Sequence, residues 1–448
     1  MRVIKKPSLS EGEFRLQSFP LFKGITKSEF SWVLYDWANQ SYVMIVSAVV
    51  FSLYFMSVAT AALEGQVANP AAEANAYLGF ANAAGTLIIG LMAPVIGTLS
   101  GYKGKKKFLF NVFAWIGILG TAGLAFVPRQ TWFGLLVMFM IASIGFSGSN
   151  KIFDAFLVDI SEDAKMNRVS SLSFAMGYIG GAIAFIFAIV LILLSEFGIL
   201  GISVYTAYRI SFFWAALWWV FFSIPMWKNV HQKYGSEPEK HYIKQSFIRI
   251  WTTLKEIRAT KGVLTFLIAF FLYSDGVGSI IRMATSYGAS IGIDAITLLM
   301  VLLVTQFVAF PFALIYGKLA DKWGTRTMIY FGIFTYCVVC VIALFMSADR
   351  SIETLTFMFW ALAMLVGTAQ GGIQALSRSY FGRLVPKERS NEFFGFYNIF
   401  GRFASILGTT LFGMVAIATG QQHYGIAVIA ILFIAAAIIF KFVPKTVD

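Results

Sequence analysis

The sequence predicts an all-α polytopic membrane protein, with twelve transmembrane helices in two pseudo-symmetric six-helix bundles. Three observations predict it. Of the 448 residues, 58% are apolar or aromatic and 13% are charged, about half the charge of a soluble globular chain. The apolar residues gather into twelve long runs, and twelve spans need only about 240 residues at roughly 20 each. The basic residues, which give the net charge of +13, fall in alternate connections, the pattern of the positive-inside rule. This composition excludes a disordered chain, and long apolar runs exclude a membrane β-barrel built from short alternating strands.

The elements follow in order. Residues 1–27 carry six Lys or Arg and lack the short apolar core and small-residue cleavage site of a signal peptide, so they read as a cytoplasmic tail. Thr26 and Glu29 have the spacing of a capping box that opens the first long helix. Apolar runs lie near 31–57, 77–100, 108–127, 131–158, 168–194 and 208–227. A second six lie near 263–285, 295–317, 327–346, 354–377, 393–419 and 424–443. The predicted organisation is therefore a bundle over 28–228, a cytoplasmic linker over 229–262 and a second bundle with a short tail over 263–448.

Lys103, Lys105, Lys106 and Lys107 crowd the second connection, and eight basic residues lie between Lys228 and Lys261, whereas 60–76 has no Lys or Arg. Both termini are thus expected in the cytoplasm, which an even number of spans satisfies. Within the linker, Ile243, Phe247, Ile250, Trp251, Leu254 and Ile257 keep helical spacing with Lys244, Arg249, Lys255 and Arg258 between them. This is either a tie between two bundles or an amphipathic basic helix on the lipid surface.

Several function classes drop out. The three histidines lie in or beside connections without metal-ligand spacing, and there is no phosphate-cradling loop. Cys337 and Cys340 sit in an apolar run, where they act as small hydrophobes. No enzyme, metal, cofactor or nucleic-acid partner is expected, because the positive charge is explained by topology.

The two halves echo one another. Gly97-Thr-Leu-Ser-Gly-Tyr-Lys-Gly104 follows the second span, and Gly317-Lys-Leu-Ala-Asp321-Lys-Trp-Gly324-Thr-Arg326 follows the eighth. The second segment resembles the signature loop of the major facilitator superfamily, G-x-x-x-D-(R/K)-x-G-x-(R/K). The resemblance implies a conformational latch formed by Gly317, Asp321, Gly324 and Arg326. Gly101 stands where the first half should carry the acid, so Asp159 is the candidate to supply charge there. An acid placed at Gly101 is expected to strengthen the latch.

Tyr35-Asp-Trp-Ala-Asn39-Gln-Ser-Tyr42, Phe153-Asp-Ala-Phe-Leu-Val-Asp159, Arg168-Val-Ser-Ser and Gly177-Tyr-Ile-Gly-Gly181 resemble the vacuole-effluxer-like branch of that superfamily. So do Phe271-Leu-Tyr-Ser-Asp275-Gly-Val and Gly371-Gly-Ile-Gln374-Ala-Leu-Ser-Arg378-Ser. That branch is named for a fungal vacuolar protein associated with amino-acid release. The resemblance implies a carrier whose spans one, four, seven and ten surround a central cavity.

Polar residues fall on one helical face in each of those spans. Span one carries Asp36, Asn39, Gln40 and Ser47; span four carries Ser143, Ser147, Asn150, Lys151 and Asp154. Span seven carries Asp275, Ser279, Arg282 and Ser286, and span ten carries Gln370, Gln374, Ser377 and Arg378. Span eleven adds Asn398, Arg402, Ser405 and Thr409. An ionisable group inside a membrane helix needs water, a partner or a substrate. Asp275 is accordingly a candidate proton-coupling or amine-binding acid and Arg402 a carboxylate anchor, unless the two form a buried ion pair that fixes the second bundle. Lys151 and Asp154, at i and i+3, either serve the cavity or neutralise one another. Asp36, about one turn into its span, is expected at the mouth or as a gate. Trp32, Tyr35, Trp37 and Tyr42 beside it form a substrate-facing cluster or an interfacial belt. Gly177 and Gly181 form a helix-packing motif.

The expected activity is secondary active transport of a small polar or zwitterionic solute, such as an amino acid or related metabolite. Efflux, coupling to protons and alternating access are expected, in a monomer embedded in the lipid of a bacterial inner membrane. A non-transporting sensor or assembly factor on the same fold is the alternative.

Overall fold

The computed structural model describes residues 20–237, 242–290, 292–346, 350–403, 407–419 and 422–444. Helix α1 (Lys27–Ser41) opens on the predicted capping box: Glu29 N–H donates to Thr26 Oγ1 at 3.2 Å, and Thr26 N–H donates to Glu29 Oε2 at 2.8 Å. A π-helical stretch, Tyr42–Ala48, joins α1 to α2 (Val50–Leu63), and together they make the first span. Then follow α3 (Pro70–Ser100), α4 (Lys105–Leu124), α5 (Trp132–Ile160), α6 (Met166–Glu196) and α7 (Val204–Asn229). Pro70 at the first turn of α3 costs no hydrogen bond, and Asn69 caps it. Ser203, Asp294 and Ser351 cap the helices that follow them in the same way.

The linker forms α8 (Tyr242–Ala259). The second set comprises α9 (Val263–Ser290), α10 (Ala295–Trp323), α11 (Thr325–Leu344), α12 (Ile352–Leu384), α13 (Ser390–Phe403), α14 (Leu407–Thr419) and α15 (Gln422–Phe440). Among the described residues, ten helical segments are long and apolar enough to cross a membrane. The pair α13/α14 and the shorter apolar α15 complete the twelve spans. Among the described residues there is no strand, only an isolated bridge between Tyr102 and Ser236. Phe80, Leu91, Phe126, Phe221 and Phe357 are more than 60% exposed, as side chains facing lipid tails should be. The fold is the twelve-helix, two-bundle architecture expected.

The bundles meet along α6 with α10 and α12, α3 with α13, and α5 with α12 and α13. The hydrogen bonds and ion pairs that cross between them cluster at one end, the end bearing the lysine-rich second connection. This is called the basic face below.

Candidate functional site

At 1.5 Å per residue, Asp154 and Arg378 each lie about 9 Å from the basic-face ends of α5 and α12. They meet there: Arg378 Nη1 is 3.1 Å from Asp154 Oδ1 and 3.6 Å from Asp36 Oδ2. The rest of the guanidinium is used by α6, with Nε donating to Ser170 Oγ at 3.0 Å and Nη2 to Ser170 O at 3.1 Å. Ser170 in turn donates to Ala375 O at 2.7 Å, and Ser173 hydrogen-bonds Asp36. Three rings surround the cation: its Cζ is 4.5 Å from the Phe174 centroid, 4.6 Å from Trp32 and 5.6 Å from Phe153. Arg378 is 2% exposed. One residue of the second bundle is therefore held by two acids, a serine and an aromatic cage of the first.

Above this junction lies a cavity of about 340 Å³, lined by Asp154, Phe174, Tyr273, Ser274, Arg282, Gln374, Arg378, Tyr397 and Asn398 among others. Arg378 forms its floor. Arg282, nineteen residues into α9, lies about 28 Å from the basic face at helical rise, near the other end of the cavity. Tyr273 Oη hydrogen-bonds Ser377 Oγ at 2.7 Å, and Asn398 donates to Phe394 O at 2.9 Å, which fixes the wall on α9, α12 and α13.

Of the residues expected at the cavity, Asp154, Arg282, Gln374, Arg378 and Asn398 line it, and Asp36 touches its floor. Others lie elsewhere. Asp36 lies about 14 Å along α1, which starts at Lys27, buried against Arg378 and Ser173 at the inter-bundle junction. Asp154 is neutralised by Arg378 rather than by Lys151, whose Nζ donates to Ile89 O at 2.7 Å. That carbonyl belongs to α3, so Lys151 ties two helices of its own bundle. Asn39 Nδ2 donates to Asn150 Oδ1 at 2.8 Å, pinning α1 to α5. Gln40 packs on Gly177 and Gly181 of α6, where ideal Cβ atoms would lie 3.1 Å and 3.0 Å from its side chain. That close approach is what the G-x-x-x-G spacing permits.

Asp275 is fully buried and does not line the cavity. A Cβ on Gly408 of α14 would lie 2.7 Å from its Oδ2 and 2.4 Å from Ser279 Oγ. The cavity lining on α9 is Phe270, Tyr273, Ser274, Val277, Gly278 and Ile281, centred about 100° round the helix from Asp275, and of the described side chains in the expected stripe only the long one of Arg282 reaches it. Gln370 faces a separate, apolar cavity of about 160 Å³ inside the second bundle. Arg402 is on α13, but its side chain lies outside the described residues, as do Ser405 and the side chain of Ser286. Trp32 and Tyr35 are fully buried, with Trp32 stacked on Phe153 at 4.5 Å, so they form neither an interfacial belt nor a cavity wall.

The basic face is shut by a second layer. Asn167 on α6 donates to Asp321 Oδ1 at 3.2 Å and to Thr325 Oγ1 at 3.0 Å. Its Oδ1 accepts from Ser379 Oγ at 2.7 Å and Arg383 Nη2 at 3.1 Å. The signature-loop acid thus reaches the start of a helix in the other bundle. Gly317 abuts Ser171 of α6, and Gly324 adopts φ +87° at the turn between α10 and α11, a conformation that favours glycine. Arg326 faces inward, donating to Val443 O at 2.5 Å and Lys441 O at 2.7 Å, and so holds the segment that follows α15 within its own bundle. Asp159 pairs with Lys106, both side chains having no exposure, and accepts from the backbone N–H groups of Lys233 and Tyr234 at 2.9 Å and 2.8 Å.

The place opposite Gly101 is taken by Glu392 of α13. A Cβ on Gly101 would lie 3.4 Å from Glu392 Oε1. The missing acid is therefore supplied from the other bundle, and an acid added at Gly101 would face a carboxylate, the reverse of the expected strengthening.

Asn167, Glu392 and Tyr397 stand in none of the motifs quoted above, and Ser170 and Tyr273 lie in family-like segments without an assigned role. One signal could have found the junction. Asp154 and Arg378 are 224 residues apart, and the pair Asp163–Lys387, at 3.0 Å, has the same separation. A pseudo-two-fold axis brings a residue beside its own repeat mate, so opposite charges at a constant offset mark the axis.

Comparison with known proteins places this geometry. A 48% identical relative, the MFS-type transporter YxiO of Bacillus subtilis (strain 168), aligns over 425 residues, covering 95% of this chain and 96% of the relative. Autophagy-related protein 22 of Kluyveromyces lactis is 22% identical over 381 residues, covering 79% and 76%. Among solved structures, the proton:xylose symporter XylE superposes with a TM-score of 0.72 at 13% identity, covering 94% of this chain and 96% of that one. The MFS transporter FucP in its outward conformation gives 0.69 at 14%, covering 94% and 99%. The model of the family described as vacuole effluxer Atg22 like matches residues 26–446. With that match over nearly the whole chain and a two-bundle helical fold shared with these carriers, the protein belongs to the vacuole effluxer Atg22-like family of major facilitator superfamily transporters.

Proposed function

We propose that the protein exports a small zwitterionic solute, an amino acid or related metabolite, in exchange for protons across the bacterial inner membrane, and that the Asp36–Arg378–Asp154 junction couples the two. The observation that carries this reading is the position of Arg378, shared by two acids of the other bundle at the floor of the central cavity.

The charge balance supports it. A guanidinium stays protonated in proteins, whereas carboxylates do not. With both acids ionised the junction carries one net negative charge, and one proton makes it neutral. Protonation weakens the attraction that holds the bundles together at the basic face. A solute ammonium group reaching the cavity floor meets the same carboxylates as the proton, so the site holds one or the other but not both, as exchange requires. Solute and proton therefore act on one contact, whose making and breaking separates the two access states. Arg282, Gln374, Asn398 and the tyrosine hydroxyls offer further polar contacts along the cavity. The basic connections support cytoplasmic termini, in which case the shut face is the cytoplasmic one.

The test is counterflow in proteoliposomes. Labelled amino acids should accumulate against an excess of unlabelled solute in the lumen, and Arg378→Gln should abolish the effect. Binding without exchange would refute transport and favour a sensor. Exchange at the parent rate by Arg378→Gln would remove the junction from the mechanism.

A further inference from the structure

The linker helix α8 presents two different faces. Its inner arc grips both bundles at the basic face. Arg249 lies 2.7 Å from Glu392 Oε1 of α13, donates to Ser236 Oγ at 2.9 Å and sits 4.9 Å from the Tyr102 ring. Thr253, fully buried, donates to Glu392 Oε2 at 2.6 Å, and Glu256 pairs with Arg389. Ser236 and Tyr102 are fixed to each other by the backbone bonds Lys103 N–H to Ser236 O, 2.9 Å, and Ser236 N–H to Gly101 O, 3.0 Å. The helix is thus a strap from the second connection of the first bundle to the start of α13 in the second.

Its outer arc is exposed. Trp251 is 63% exposed and Leu254 42%, and Lys255 and Arg258 beside them are exposed too. Successive turns bring these four side chains to one side of the helix, with no acid among them. A tryptophan and a leucine flanked by two cations suit the boundary between lipid headgroups and acyl chains. The position agrees: α8 ends at Ala259, and the membrane-spanning α9 begins at Val263. A soluble partner would have to bind at the rim of the bilayer.

We propose that the outer arc of α8 binds the anionic phospholipid surface, and that this binding favours the state in which the basic face is shut. When the bundles part at this face, Glu392 moves away from Tyr102 and Ser236, so α8 cannot keep both grips. It must leave one of them and change its seating on the bilayer. Lipid that holds the helix in its present seat therefore stabilises the closed face by its preference for that seat. A basic side chain at an anionic surface contributes about fivefold in binding, so Lys255 and Arg258 together set an upper limit of about 30-fold on the shift.

The experiment uses the full chain in nanodiscs of phosphatidylcholine alone or mixed with phosphatidylglycerol. Spin labels at Lys165→Cys and Glu388→Cys, both exposed on the basic face, report its closure, with Cys337 and Cys340 replaced by alanine. The closed population should rise with phosphatidylglycerol in the parent. In Lys255→Gln/Arg258→Gln it should not respond, while matching the parent in phosphatidylcholine. Equal closed populations of the parent in both lipids would overturn the coupling. A double variant that responds like the parent would overturn the assignment of the arc. The double variant carries neutral amides at exposed positions, so folding, checked by monodispersity, is preserved. The proposal stands apart from the nature of the solute, since closure is read without it.

Discussion

Gly317→Ala tests the closure of the basic face at a close side-chain contact between the bundles. The new Cβ would lie 2.6 Å from Ser171 Oγ and 2.7 Å from Ser171 Cβ, across the junction of α10 with α6. Ordinary contact begins near 3.4 Å, and Ser171 is buried on a helix and cannot swing its Cβ away. Inserting a methyl into such a contact costs about 1–3 kcal/mol. The clash exists only while the bundles touch, so the cost falls on the closed state alone. At 1.4 kcal/mol per tenfold, the closed-to-open ratio should fall by about 5- to 150-fold. The distance between labels at Lys165→Cys and Glu388→Cys should lengthen accordingly. Ser171→Gly removes the opposing atoms, so the pair Gly317→Ala/Ser171→Gly should recover most of the closed population. A correctly folded Gly317→Ala protein with the parent distance distribution would refute the contact. Failure of Ser171→Gly to rescue would show that the alanine acts within its own bundle.

Three further outcomes follow from the same end of the molecule. Asn167→Ala removes a side chain that meets Asp321, Thr325, Ser379 and Arg383, so it should open the basic face more than Asp321→Ala does. Stranded buried groups cost about 1–3 kcal/mol each, and the same label pair reads the difference. Gly101→Asp should open the face, because the new carboxylate meets Glu392; Gly101→Asp/Glu392→Gln should restore closure. Lys106→Met leaves Asp159 buried without its cation, at a cost of about 3–5 kcal/mol. Thermal unfolding in detergent should therefore report a less stable protein, while Lys107→Met, on a partly exposed neighbour, should change little.

The spans, the capping box and the paired loops were legible because they rest on local signals: apolar run length, N-cap spacing and glycine-punctuated turns. The site was legible only in part. Arg378, Asp154 and Gln374 lie on the faces that helical spacing assigns them. Asp275 does not, because period alone cannot say which side of a polar stripe faces the axis and which a neighbouring helix. Lys151 and Asp154 read as a local pair from spacing, yet each has a partner on another helix. Glu392 stayed hidden for a related reason. Its role depends on a glycine nearly three hundred residues away, and nothing near either residue marks the relation. Charges repeated at a constant offset carry that kind of information, since the two-fold relation turns sequence separation into contact.

The central claim is that the Asp36–Arg378–Asp154 junction links proton and solute. Proteoliposomes loaded with labelled amino acids, with an inward proton gradient imposed, test it through Asp154→Asn. The amide retains shape and hydrogen bonding but cannot carry a proton, so exchange at equal pH should persist while gradient-driven efflux against a solute gradient is lost. If Asp154→Asn and Asp36→Asn both drive uphill efflux at the parent rate, the junction is not the coupling site.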